Sequence, residues 1–136
     1  MSLCVDVFVR DARGEWRVLD VPEGCNDSAG FEVWRETVWG SETVRSLGAR
    51  FMPVLAVSNL YVEADTVAEF LREVALLRAN LELIATTTRR PRELPEHRGQ
   101  IERRLDNIEA AALRAQELGD GVRLDVQIAH RQHWHE

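Results

Sequence analysis

Apolar and polar positions alternate at the start of this chain. Leu3, Val5, Val7 and Val9 interleave with Cys4, Asp6 and Phe8, the period-2 pattern of a strand. Asp11-Ala12-Arg13-Gly14 supplies a turn, and residues 15–21 return as a second strand. Together 3–10 and 15–21 predict a hairpin. Residues 22–27 read as a loop. Phe31, Trp34 and Val38 then follow an i, i+3, i+7 spacing, which predicts a helix over 28–39, capped by Asp27 or Ser28 and ended by Gly40. A short helix is expected from Ser41 to Leu47, with Ser41 as its cap and Gly48 as its stop.

Pro53 precedes the run from Val54 to Val62, which is short, apolar and rich in β-formers. It predicts a central strand. Val67, Phe70, Leu71, Val74, Leu77, Leu81 and Ile84 recur with a 3.6-residue period, so a helix is expected over 66–85. Residues 86–98 contain Pro91 and Pro95 and form a connector. Ile101, Leu105, Ile108, Ala112 and Ala115 define a second long helix over 99–118, stopped at Gly119-Asp120-Gly121. Val122, Leu124, Val126 and Ile128 alternate with Arg123, Asp125, Gln127 and Ala129. This is the cleanest strand pattern in the chain, with one face set against a core. A tail at 131–136 is expected to be mobile.

The order β-β-α-α-β-α-α-β places the chain in the α+β class. The expected architecture is a mainly antiparallel four-stranded sheet. Two long helices cover one face, and one or two short helices lie near 28–47. The pattern leaves the strand order open, and joining the first and last strands at the centre is one attractive arrangement. The length of 136 residues suits one domain, and a chain of this size buries about two-thirds of its unfolded surface without a metal or disulfide.

Composition narrows the chemistry. Two cysteines, Cys4 and Cys25, form neither a C-x-x-C motif nor a disulfide framework. With no signal-like start and no long apolar run, a cytoplasmic location and no membrane span are expected. All 17 basic residues are arginine. A lysine Schiff base and a P-loop are therefore excluded. The net charge of −6 is uneven, since residues 1–88 carry 8 Arg against 14 Asp and Glu. Duplex nucleic acid is a poor ligand for that acidic part. No cofactor is indicated.

Several candidate sites carry little weight. His130, His133 and His135 lie in the tail without metal-ligand spacing. Ser41 is not in a G-x-S-x-G elbow. Arg89, Arg90, Arg92, Arg98, Arg103 and Arg104 form a basic patch without aromatic residues for base stacking. The segment 27–42 is the most informative, with Asp27, Glu32, Trp34, Arg35, Glu36, Trp39 and Glu42 close together. On an α-helix, at about 100° per residue, Trp34 and Trp39 lie about 140° apart, so one packs inward and the other sits nearer the rim. Tryptophan and arginine are enriched at binding hot spots.

The leading functional expectation is a small acidic binding or regulatory protein. Residues 27–42 would recognise a protein partner, in one variant as an inhibitor of a basic-surfaced enzyme. The alternative is a small enzyme or small-ligand-binding domain with a cleft between 22–42 and the 89–98 loop. Convergence of Cys25, Glu32, Arg35 and His97 on one concave pocket favours the cleft. A convex surface with Trp39 and Glu36 exposed favours the protein partner. A homo-oligomer pairing through strand 122–129 is a third reading.

Overall fold

Leu3, Val5 and Val7 are buried on one side of the first strand, and Cys4, Asp6 and Phe8 are buried on the other. A strand covered on both faces belongs at the middle of a sheet, and that is its place. The structure, a computed structural model, describes residues 2–10, 12–19, 27–88, 94–118 and 121–127. Among them β1 (Ser2–Arg10), β2 (Trp16–Val18), β3 (Ser28–Phe31), β4 (Leu60–Val62) and β5 (Gly121–Gln127) form one sheet. The strand order is β2-β1-β5-β4, with β3 also paired to β1.

Every described pairing is antiparallel. β1 and β5 run together from Ser2 opposite Gln127 to Phe8 opposite Gly121. The first and last strands therefore meet at the centre, which settles the strand order that the sequence pattern left open. β2 pairs with the C-terminal end of β1 and β3 with its N-terminal end, where the register shifts between Leu3 and Cys4. The turn after β1 carries Gly14 at φ 83°.

The helices are α1 (Glu42–Ser46), α2 (Val67–Ala79), α3 (Leu81–Thr88) and α4 (Leu94–Leu118). Ile101, Leu105, Ile108, Ala112 and Ala115 of α4 are all fully buried. They share one core with Leu3, Val5 and Val7 of β1 and with Val67, Phe70, Val74 and Leu77 of α2. Burial of one such aliphatic side chain contributes roughly 1.5–3 kcal/mol, so this seam holds the helices to the sheet. Asn107 of α4 adds a fastening, its Nδ2 donating to the Ser28 carbonyl at 2.8 Å.

Four elements differ from expectation. Residues 28–31 form β3 rather than the start of a helix, and the helical turn begins only at Trp34. Backbone pairing to β1 outweighs the weak helical spacing there, so the sheet has five strands rather than four. Residues 52–56 form a 3-10 helix, and only Leu60–Val62 pair as a strand. Pro53 at its start suits a helical first turn. The buried Glu73 carboxylate accepts from the backbone N–H groups of Arg50, Phe51 and Met52, which satisfies donors that a strand would have sent to a ladder. The long helix expected over 66–85 breaks at Asn80, giving α2 and α3. Finally, α4 begins at Leu94 rather than 99, because Pro95 sits in the first turn, where its missing N–H costs nothing. Ile128 and Ala129 and the tail 131–136 lie outside the described residues, as do Cys25 and Arg89, Arg90 and Arg92.

Candidate functional site

The segment after β3 turns through a π-helix, Arg35–Trp39. This i→i+5 turn is wider than an α-helix and brings residues five apart onto the same side. Trp34 and Trp39 therefore both point inward, with exposures of 3% and 0%. The expectation that one of them lies at a rim assumed α-helical spacing. Their rings meet edge to face with centroids 5.7 Å apart. Trp39 Nε1 donates to the Ala29 carbonyl at 2.9 Å, so its polar edge is satisfied in the core.

Trp34 is the hub of an aromatic cluster. Phe31 meets it edge to face at 5.7 Å and His97 at 5.8 Å. Gly30, at φ 112°, lies directly against the Trp34 ring, and a Cβ there would collide with it. The strand-to-turn junction thus needs a glycine both for its backbone angle and for its lack of a side chain.

His97 is the first core position of α4, one turn ahead of Ile101, and it is 2% exposed. Its Nε2 lies 2.9 Å from Thr88 Oγ1 at the end of α3. The Thr88 hydroxyl also lies 2.7 Å from the Ile84 carbonyl. A hydroxyl has one proton to give, and the carbonyl can only accept it. Thr88 therefore receives its second bond from His97 Nε2–H. This pair ties α3 to α4. It is not a nucleophile with its base, because the hydroxyl proton is directed at Ile84.

Between these elements opens a cleft of about 1340 Å³. Its walls include Phe31, Glu32, Trp34, Arg35, Glu36 and Glu42 on one side and Thr87, Thr88 and His97 on the other. Thr37, Ser41, Thr43 and Ser46 add hydroxyls. Ser41 caps α1 by accepting from Val44 N–H, as its sequence position implies. Thr43 and Thr87, both lining the cleft, share a 2.7 Å hydroxyl–hydroxyl bond that joins α1 to α3. Glu36 and Glu42 are exposed, and Glu32 and Arg35 are half-buried. The Arg35 guanidinium is held by the carbonyls of Leu55 and Ser58 and by Asn59 Oδ1. It closes the end of the 52–56 turn, where a cation is favoured.

Of the seven residues proposed in the sequence for a partner surface, five share this cleft: Glu32, Trp34, Arg35, Glu36 and Glu42. Asp27 does not line it; its carbonyl accepts from Val5 N–H at 2.8 Å at the start of β3. Trp39 forms the packed layer beneath, without accessible surface. Thr87 and Thr88 were not singled out, and a run of three threonines carries no chemical signature. His97, named for a concave pocket with Glu32 and Arg35 but read as part of the 86–98 connector, lines the cleft from within α4, four residues before Ile101 on the buried stripe. No group of three His, Cys, Asp or Glu residues suited to a metal occurs among the described residues. No helix among them is long and apolar enough to cross a membrane.

No protein-family model, curated protein or solved structure matches this chain.

Proposed function

We propose that the chain is a small-ligand-binding domain whose cleft between the 31–46 segment and the α3–α4 corner takes an amine-bearing organic ligand. The observation that carries this reading is convergence. Glu32, Arg35 and Glu36, from one turn, line the same concave space as Thr88 and His97, from two other helices. Pockets with an apolar floor and a few polar groups are the usual sites of small ligands. Here Phe31 and Trp34 form the floor, and Glu32, Glu36 and Glu42 outnumber Arg35 at the walls. That balance favours a cation. The π-turn supports the reading, since such turns recur at functional sites. The cleft volume exceeds the roughly 300–1,000 Å³ of ordinary ligand pockets, so the ligand occupies the inner part beside Trp34.

Benzylamine, with an apolar ring and one ammonium, is a direct probe. Titration followed by amide NMR shifts should move Val33, Thr37, Thr43 and Thr88 saturably. Replacing Glu36 and Glu42 together with Gln should weaken binding, most at low salt. Shifts that never saturate, or that fall elsewhere on the molecule, would refute the cleft as a ligand site.

A protein partner with a basic surface is the second reading, and the exposure of Val33 at 66% and Val57 at 87% favours it. Val33 lines the cleft, and Val57 lies in the 55–58 stretch whose carbonyls hold Arg35, so a partner's chain would meet apolar surface near the acids. An inhibitor of a basic-surfaced enzyme is one form of this reading. It requires Val33→Asp to abolish a stoichiometric complex while leaving benzylamine binding intact.

A further inference from the structure

Among the described residues, the bonds that hold Arg35 leave two of its guanidinium donors unused. Nη1 donates to the Leu55 carbonyl at 3.2 Å and to the Ser58 carbonyl at 2.9 Å, and Nη2 donates to Asn59 Oδ1. These three bonds take three of the five N–H donors of an arginine. The two that remain are Nε–H and the second Nη2–H; the Nε–H of an arginine and the Nη2–H beside it lie parallel along one edge of the plane. No carboxylate among the described residues pairs with this guanidinium. All three of its acceptors are neutral, so among the described residues its positive charge is oriented but not matched. Arg35 lines the cleft.

We infer that this free edge is a carboxylate-binding fork, and that the ligand of the cleft carries a carboxylate as well as an amine. The inference rests on the ligand-binding reading above. A carboxylate presents two oxygens at the spacing of two parallel N–H groups, so the contact is bidentate and charge-assisted. The fork is preorganised, because the opposite edge is already fixed to the 55–59 backbone, and binding then needs little further ordering of the side chain. The surrounding acids decide between anions. A phosphate near neutral pH carries close to two negative charges and meets Glu32, Glu36 and Glu42 in the same cleft. A monovalent carboxylate is repelled less, and an ammonium on the same molecule turns that repulsion into attraction. The class is therefore an amphoteric molecule with an apolar body, such as an amino acid or an aminocarboxylate.

The test follows the Arg35 Nε–H resonance by ¹H–¹⁵N NMR during titration with 3-phenylpropionate. Inorganic phosphate and 3-phenylpropanol are the comparison probes. The expected result is a saturable downfield shift with the carboxylate, a much weaker response to phosphate, and none to the alcohol. Arg35→Lys keeps the charge but removes the fork, and should lower carboxylate affinity by about tenfold or more. Because lysine also loses the backbone ties, folding of that variant is checked by circular dichroism, and the wild-type Nε–H shift stands as an independent readout. A flat or non-saturating Nε–H response in the wild type overturns the inference. So does an equal response to phosphate, which would mark a general anion site. If benzylamine binds in the cleft while the carboxylate does not, only the fork is wrong; if neither binds, the ligand-binding reading falls with it.

Discussion

Glu73 reaches from the middle of α2 to the Met52 backbone, where its carboxylate accepts from the N–H at 2.7 Å. The same group accepts from Phe51 and Arg50, and its residue is only 7% exposed. One side chain thus satisfies the start of the 52–56 turn and aligns the loop that carries the acceptors of Arg35. Glu73→Gln replaces one acceptor oxygen with an NH2 that faces backbone N–H groups. It should cost about 1–3 kcal/mol. Urea unfolding should show a lower midpoint with an unchanged slope. The exposed Glu69→Gln should change stability by no more than about 0.5 kcal/mol.

Gly30 and Gly14 both have positive φ, at 112° and 83°. Only Gly30 is pressed against a ring, and the space around Gly14 is open. Alanine at Gly14 should therefore cost only the backbone strain, about 1 kcal/mol. Alanine at Gly30 adds a collision with Trp34 and should cost more than about 2 kcal/mol. Thermal unfolding of the two variants side by side isolates the aromatic contact, because the backbone penalty is common to both. Equal losses would show that Trp34 moves aside at no cost.

Trp39 gives a third expectation. Trp39→Phe keeps an aromatic ring but removes the Nε1 donor to Ala29. It leaves a buried carbonyl short of a partner and a space where the indole's second ring was. The combined loss should be about 2–4 kcal/mol. The near-ultraviolet circular dichroism of the Trp34–Trp39 pair should fall with it. A variant as stable as the parent would mean the indole bond contributes nothing.

The direction of the His97–Thr88 bond is also measurable. Thr88 gives its proton to Ile84, so neutral His97 should carry its proton on Nε2. Long-range ¹H–¹⁵N correlation distinguishes the two ring tautomers. A proton on Nδ1 would mean that Thr88 donates to the imidazole instead. Thr88→Val removes the acceptor of Nε2–H and should destabilise the α3–α4 corner by about 1–3 kcal/mol.

Much of this architecture was legible because its residues obey one period. The β1 and β5 alternation marks both as strands, and the α4 stripe commits to a single face that is buried throughout, so local pattern and fold agree. The 28–39 segment did not yield in the same way. Its helical spacing was real, but β1 offered backbone partners to Ser28–Phe31, and the remaining turn widened into a π-helix. That change of period placed Trp39 beside Trp34, which no α-helical projection could show. The 52–56 turn was hidden for another reason, because the carboxylate that caps it comes from Glu73, twenty-one residues from Met52. The cleft was half legible. Its acids and Arg35 stand together in the sequence, but Thr87, Thr88 and His97 reach it only through the α3–α4 corner.

The central pairing of β1 with β5 has a consequence for how the chain comes to be folded. Leu3 and Val126 are register partners separated by almost the whole described length. Contacts of such long sequence separation must close a large loop before they return any stabilisation, and they slow folding. During synthesis β1 can find β2 and β3 early, yet its other edge waits for residues 121–127. Until these emerge, an apolar strand presents an open ladder to any neighbouring chain. The interval between making β3 and making β5 is therefore the period when this protein is most exposed to aggregation. A chain ending before Gly121 should accumulate in the insoluble fraction.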